Sequence, residues 1–259
     1  MSVLRGATPI SIAVDMRGSS PSLCVSGTAC DANIDKVASA FDRLIQDSEH
    51  CVSLDLGDLE SIDPRTLELL ADTATSLRQR SRRLHLVRAS DAVQEMLDRY
   101  LLLDLFCVET ECTREFSPST CGIATTTWAI DVFTLACEIE NCREARERVR
   151  RVAAGVGFDR TKQDDVILAL GEAVANAIKH GKKPGIASSF TVSCIATPER
   201  LCVSVSDSGP GFDPEALPSF EEALMLESGR GIHCINAVMD DVSYHFDSGT
   251  TVRMIKRGY

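Results

Sequence analysis

Three polar side chains recur at four-residue intervals in the segment "GEAVANAIKHG", residues 171–181. They are Glu172, Asn176 and His180, and positions i, i+4 and i+8 lie on one side of an α-helix. A carboxylate can accept the proton of an attacking hydroxyl, and a carboxamide oxygen can bind Mg²⁺. The spacing is equally compatible with a polar stripe that faces water. The opposite side of the same helix is apolar and predicts core packing, with Ile167, Leu170, Val174 and Ile178 at helical spacing.

Two glycine-rich turns follow this helix. In "VSDSGPGFD", residues 205–213, a predicted strand ends at Asp207, whose carboxylate can accept a hydrogen bond from an exocyclic amine such as that of adenine. In "ESGRGIHCINAV", residues 227–238, a glycine turn directly precedes a predicted helix. The free N–H groups and the positive dipole end of such a helix suit a phosphate. Each signal alone is common, but their order along one chain predicts a nucleotide site.

The three segments, E-x-x-x-N-A-x-x-H-G, D-x-G-x-G-F-D and G-R-G-I, resemble the N box and the two glycine boxes of the GHKL ATPase superfamily. The resemblance covers residues 126–259 and is closest to the anti-sigma-factor serine kinase branch, with "MDDV" and "GTTVRMIKR" completing the pattern. It implies ATP and Mg²⁺ as cofactors. No dimerisation helix with a phospho-accepting histidine precedes His180, so a two-component histidine kinase is not expected.

By this resemblance, Glu172 is the catalytic base, Asn176 is the Mg²⁺ ligand and Asp207 contacts adenine. His180 is either a further nucleotide-binding residue or a cation that stabilises the C-terminal end of its helix beside Gly181. Residues 213–228 are the expected ATP lid. Some relatives have a basic residue where this chain has Glu227, so Arg230 is expected to supply the cation near the phosphates. The remaining expected nucleotide-binding positions are Gly209, Gly211, Gly229, Arg230, Gly231 and Thr251.

The first half of the chain alternates predicted strands and helices. Strands are expected at 9–14, 22–26, 51–56 and 83–87, and helices at 33–48, 64–80 and 91–102. Residues 8–108 resemble a STAS domain, the fold of anti-sigma-factor antagonists, mainly through "VSLDLGDLESIDPRTLELL".

The STAS resemblance breaks at the position of the phospho-acceptor serine. Asp63 matches the family, but Pro64 and Arg65 follow it, and Thr66 stands where glycine is usual. A cation therefore occupies the place that phosphorylation would make dianionic. Thr66 and Ser61 remain as alternative acceptors.

The expected domains are a STAS-like domain at 1–110, a linker at 111–125 and an ATPase domain at 126–259. The fold class is α/β plus α+β: a STAS-like mixed sheet with helices, then an α/β sandwich with helices on one face of a mixed sheet. In the second half, strands are expected near 128–136, 188–196, 200–206, 242–246 and 251–256, and helices near 138–155, 164–180 and 231–239.

The composition limits the partners. The 259 residues carry a formal net charge of −11, which disfavours direct nucleic-acid binding. The eleven cysteines form no C-x-x-C pair, and no signal peptide or membrane-spanning run is apparent, so a cytoplasmic location is expected.

These observations predict an ATP-dependent serine/threonine protein kinase that acts as an anti-sigma-type partner switch. Its expected partners are a STAS-domain anti-sigma antagonist, a sigma factor or both, and a homodimer is compatible with the pattern. Its own STAS domain would be a tethered regulatory element. The alternative is an ATP-binding module without kinase activity that sequesters or activates a protein partner.

Overall fold

The computed structural model describes residues 8–16, 21–47, 51–80, 82–103, 106–108, 129–181, 188–211, 230–246 and 249–258. Contacts between Cα atoms divide the chain into two compact units, Met1–Thr125 and Thr126–Tyr259. Each unit has its own sheet. Among the described residues, no helix is long and apolar enough to cross a membrane.

The first unit combines a mixed sheet with three helices. Strands β1 and β2 pair antiparallel, whereas β2, β3, β5 and β6 pair parallel in that order, and β4 pairs parallel with β2. The strands are β1 Ser11–Asp15, β2 Ser22–Ala29, β3 Val52–Leu56, β4 Leu59–Ile62, β5 Leu84–Ala89 and β6 Cys107–Val108, and the helices are α1 Ile34–Asp47, α2 Pro64–Gln79 and α3 Asp91–Arg99.

Local sequence accounts for the start of α2. The Asp63 carboxylate accepts a hydrogen bond from the Thr66 N–H at 2.8 Å, and Pro64 occupies the first helical position. Both features satisfy or remove N–H groups that a helix start leaves without partners. The sequence predicted this helix start, and the structure confirms it.

The second unit is a five-stranded sheet with helices on one face. Its strand order is β10-β11-β9-β8-β7, and all pairings between these strands are antiparallel. The hairpins β8–β9 and β10–β11 generate two of these pairings directly. The strands are β7 Ala129–Ala136, β8 Ser189–Ala196, β9 Arg200–Asp207, β10 Asp241–His245 and β11 Thr250–Arg257, and the helices are α4 Asn141–Gly155, α5 Arg160–His180 and α6 Arg230–Val238.

One apolar core holds these helices against the sheet. Alternate residues of the central strands β8 and β9, such as Val192 and Val203, belong to this core, as the period of two requires. Leu170 and Val174 of α5 and Ile235 of α6 join the same core. The helices therefore share one face of the sheet, which fixes α5 and α6 as neighbours.

The element boundaries differ from prediction at particular places. Helix α5 begins at Arg160, four residues earlier than predicted, because the Asp159 carboxylate caps it by accepting the Lys162 N–H at 3.0 Å. Strand β4 was missed because its four residues carry no long alternation and its pairing with β2 is distant in sequence. Helix α3 ends at Arg99, before the predicted 102.

Candidate functional site

Glu172 and Asn176 lie one helical turn apart on α5 and are both half-buried. Within the described part of the chain, neither side chain makes a hydrogen bond or an ion pair. Most buried polar groups in proteins have such a partner. A half-buried carboxylate and carboxamide on one helix face, with their bonding capacity unused, are therefore available to a ligand.

The first turn of α6 lies directly against this pair. A Cβ atom at Gly231 would lie 2.7 Å from Glu172 Oε2 and 3.6 Å from Asn176 Nδ2. Only glycine allows this approach without displacing the carboxylate. The N-terminal N–H groups of α6, which have no partners within the helix, thus lie beside the two polar side chains of α5.

Cys234, also in the first turns of α6, lies close to the same carboxylate. Burial raises the pKa of its thiol, and the negative charge of Glu172 raises it further. The neutral thiol is therefore the stable form at this position. Sequence analysis did not indicate this neighbour.

Asp207 forms a second group of polar atoms at the end of β9. Its carboxylate accepts the Gly209 N–H at 2.6 Å, and Gly181 at the end of α5 packs against it, where a Cβ would lie 3.0 Å from Asp207 Cβ. Burial raises the pKa of this carboxyl, although backbone hydrogen bonds from Gly209 and Thr250 and the nearby His180 oppose the shift.

His180 lies near Asp207, in a different part of the candidate site from Glu172 and Asn176. It is the last residue of α5 and is exposed, and it lies close enough to Asp207 for its charge to lower the pKa of that carboxyl slightly. Eight residues of helix separate His180 from Glu172 by about 12 Å along the helix axis. A cation at a helix C-terminus is also favourable.

The remaining predicted positions lie near these two groups where the structure describes them. Thr251 is buried on β11 and donates a hydrogen bond to Ser206 Oγ at 2.9 Å, next to Asp207. Gly211 has a φ of +77° and contacts the ring of Phe246. Arg230 is exposed and begins α6. Gly229, Glu227 and the predicted lid, 213–228, lie outside the described residues.

Arg146 is a neighbour of the site that sequence analysis missed. Its guanidinium, from α4, crosses α5 at Gly171, where a Cβ would lie only 2.2 Å from its Nη2 atom. Arg146 is exposed and makes no hydrogen bond or ion pair with the described residues. A glycine inside a helix costs about 1 kcal/mol of stability relative to alanine. Gly171 in the middle of α5 was therefore a sequence signal that another group packs closely against the helix there.

The start of α2 in the first unit also bears on the predicted function. Thr66 is 2% exposed, and its hydroxyl donates to Asp63 Oδ1 at 2.7 Å. The other Asp63 oxygen accepts the Asp31 N–H. Arg65 lies within 3.7 Å of Asp31 and 3.8 Å of Glu68, and Ser61 is exposed on β4.

Comparison with known proteins identifies both units. Residues 135–256 match the histidine kinase-like ATPase domain family, and residues 13–116 match the STAS domain family. The serine-protein kinase RsbW of Listeria monocytogenes serotype 4a (strain HCC23) is 33% identical over 113 residues, with 40% of this chain and 72% of the relative covered. The chain belongs to the RsbW family of serine-protein kinases.

A second RsbW relative agrees with this assignment. RsbW of Staphylococcus epidermidis is 32% identical over 112 residues, with 40% of this chain and 69% of the relative covered. The crystal structure of the RsbU and RsbW domains of Rv1364c from Mycobacterium tuberculosis is 21% identical, has a TM-score of 0.38, and matches over 49% of this chain and 32% of that one. The predicted resemblance to a STAS domain fused to a GHKL-type ATPase and the predicted two-domain fold class are confirmed. One detail differs: the sheet of the second unit, expected to be mixed, has only antiparallel pairings among its described strands, because the pattern within a strand does not show the direction of its neighbours.

Gly231→Ala tests the close contact between α6 and α5. The added methyl would collide with the Glu172 carboxylate, so we expect α6 or Glu172 to shift and Mg²⁺-ATP affinity to fall by about tenfold or more. Isothermal titration calorimetry measures this affinity.

Gly155→Ala is the matched control, because the nearest atom to its added Cβ would lie 3.9 Å away. We expect its ATP affinity to equal that of the wild type. Equal affinity in the Gly231→Ala variant would show that the contact does not shape the site.

Proposed function

We propose that this chain is an ATP-dependent protein kinase that phosphorylates a serine or threonine of a separate STAS antagonist and thereby switches partners in sigma-factor control. The observation that carries the proposal is the placement of Glu172 and Asn176, which have no bonding partner among the described residues, beside the N-terminus of α6. Membership of the RsbW family supports the kinase activity.

Glu172 is the proposed catalytic base. Its carboxylate accepts the proton of the substrate hydroxyl, whose oxygen then bonds to the γ-phosphorus while the bond to the β–γ bridging oxygen breaks and ADP leaves. Because no described residue pairs with this carboxylate, both of its oxygens are available for the proton. The adjacent N–H groups of α6 would stabilise phosphate charge.

Asn176 is the proposed Mg²⁺ ligand. Its carboxamide is half-buried, has no hydrogen-bond partner among the described residues and lies at the gap that Gly231 leaves open. Mg²⁺ often uses one or two protein ligands together with substrate phosphates, so these residues fit the ion. When bound, the ion would neutralise phosphate charge.

Asp207 is the proposed adenine contact, with Gly209, Gly211 and Thr251 shaping the same end of the site. Backbone N–H groups of Gly209 and Thr250 hold its carboxylate in a fixed orientation. Fixed acceptors bind a planar donor such as the adenine amine at a smaller entropic cost. His180 lies at this end of the site and, with Arg230 and Gly229 at the phosphate end, completes the proposed nucleotide-binding set.

The proposed phosphate acceptor belongs to another protein. In this chain, Thr66 is buried and its hydroxyl is bonded to Asp63, so a kinase cannot reach it without opening the start of α2. The exposed Arg65 precedes Thr66 and pairs with Asp31. Ser61 lies on strand β4 rather than at the helix start. The STAS half then acts as a tethered docking or regulatory element.

Arg146 is proposed to contact the incoming protein substrate. It is an exposed cation without a described partner, on the residue of α5 that precedes Glu172. A substrate whose hydroxyl reaches Glu172 must pass close to it. An acidic or hydrogen-bond-accepting surface beside the target serine would complement this charge.

Acidification should weaken ATP binding through Asp207. The adenine amine needs the ionised carboxylate, and because burial raises the pKa of this carboxyl, protonation begins at a higher pH than for an exposed aspartate. The same raised pKa means that protonation stabilises the folded state, so unfolding does not explain the lost affinity.

Adenosine is the appropriate ligand for this measurement, since it carries no phosphates whose own protonation would change the affinity. We expect wild-type adenosine affinity, followed by ligand-observed NMR from pH 7 downward, to fall as Asp207 protonates. The Asp207→Asn variant should bind weakly at every pH. A wild-type profile parallel to that of the variant would contradict the assigned contact.

Glu172→Gln tests the kinase proposal itself. The purified chain is mixed with Mg²⁺-ATP and STAS proteins of the same cell, and phosphoserine is measured by mass spectrometry. We expect the yield to fall by about a hundredfold or more, with ATP affinity retained. Glu144→Gln, an exposed glutamate of α4, should behave as wild type.

ATP binding without phosphate transfer to any STAS protein would indicate a non-catalytic nucleotide-gated module instead. Phosphate on Ser61 or Thr66 of the chain itself would contradict a separate acceptor.

Arg146→Glu tests the docking role. Reversing this charge should raise the KM for the protein substrate by about tenfold, whereas ATP affinity should not change, because Arg146 is not one of the proposed nucleotide-binding residues. Arg151→Glu, an exposed arginine of the same helix, makes the same charge change elsewhere. Equal effects of both variants would assign the result to net charge alone.

A further inference from the structure

Helix α6 is attached to the rest of the second unit at both ends. Its N-terminal Gly231 lies on Glu172 of α5, as described above. Its last residue, Val238, offers a carbonyl that accepts a hydrogen bond from Lys256 Nζ at 2.6 Å. The last carbonyls of a helix have no partner within it, and a lysine at this end also complements the helix dipole.

The same ammonium joins α6 to α5. Lys256 Nζ lies 2.8 Å from Asp165 Oδ2, and the Lys256 side chain is only 13% exposed. Lys256 itself is on β11. One largely buried cation therefore connects the sheet, the second turn of α5 and the end of α6.

The residue spacing shows that these contacts fix the position of α6 along the axis of α5. Asp165 and Glu172 are seven residues apart on α5, and Gly231 and Val238 are seven residues apart on α6, so each interval spans about 10 Å. Seven residues are nearly two turns, which places Asp165 and Glu172 on the same side of α5. The two helices thus run antiparallel, matched at both ends.

Backbone hydrogen bonds fix the chain just after α6 to the same strand. The Asp240 N–H donates to the Ile255 carbonyl at 2.9 Å, and the Arg257 N–H donates to Asp240 Oδ2 at 2.5 Å. A slide of α6 along α5 would have to break these bonds or the contact with Lys256. These contacts consequently fix the position of the first turn of α6 relative to Glu172 and Asn176.

We infer that Lys256 is a positioning residue, which sets the height of the α6 N-terminus over the phosphate end of the site and thereby its affinity for the nucleotide phosphates. This inference rests on the proposed function. It concerns the phosphates alone, because the adenine end is built from Asp207 on β9 and its neighbours, which Lys256 does not contact.

Lys256→Met is the main test, since it keeps most of the buried stem and removes the ammonium. We expect Mg²⁺-ATP affinity, measured by calorimetry, to fall by about tenfold, and adenosine affinity, measured by ligand-observed NMR, to stay within about twofold of wild type. Lys256→Arg should restore most of the ATP affinity, because a guanidinium can also donate to Val238 and Asp165.

Two further variants keep the test decisive. Arg257→Met removes a neighbouring exposed charge and should bind both ligands as wild type. Asp165→Asn removes one contact of the ammonium and should lower ATP affinity by a smaller factor; it decides the test if Lys256→Met fails to fold. A wild-type chain that binds neither ligand would refute the proposed function. A wild-type chain that binds both, with equal losses of ATP and adenosine in Lys256→Met or with no loss, would refute only the positioning role.

Discussion

The close approach of α6 to α5 is the constraint on which the site depends. The backbone at Gly231 lies so near the Glu172 carboxylate that even a methyl group would not fit. This contact places free N–H groups of a helix start beside a carboxylate and a carboxamide, all in one small volume. A helix dipole and its N–H groups stabilise negative charge, so the same arrangement suits both an anionic base and a phosphate.

The carboxylates at the two ends of the site lie in different electrostatic environments. At the proposed phosphate end, Glu172 lies beside a helix N-terminus. At the other end, Asp207 is partly buried at the end of β9, and its pKa is raised despite two backbone donors and a nearby histidine. A carboxylate that is costly to keep ionised stabilises binding when a ligand donates a hydrogen bond to it, because the ligand replaces lost solvation.

The features of this chain that the sequence predicts are those that depend on residues close together in the sequence. The amphipathic period of α5, the Asp63-Pro64 start of α2 and the glycine turns follow from residue types at fixed spacing. Strand β4 was missed because its pairing partner, β2, is thirty residues away in the sequence. The roles of Arg146, Cys234 and Lys256 could not be assigned from the sequence, since each lies on an element other than α5 and no spacing rule joins it to Glu172.

The arginine-rich run at residues 78–83 shows how tertiary contacts override such rules. Arg78 lies in the last turn of α2, as the dipole argument predicts. Arg82, four residues on, is 7% exposed and donates to the Ile45 carbonyl at 2.9 Å, which ties the end of α2 to α1. Two arginines of one short run therefore have different roles, which their packing and not their residue type decides.

The start of α2 constrains how the STAS half can take part in a switch. Asp63 uses one oxygen on Thr66 and the other on Asp31, so this turn is already fully bonded without a phosphate. The ion pairs of Arg65 are long and exposed, and such pairs contribute little to stability. Its charge is therefore free to re-pair with a partner at small cost. Under the proposed function, this surface keeps one covalent state, and the covalent change that switches partners is the phosphorylation of the separate antagonist.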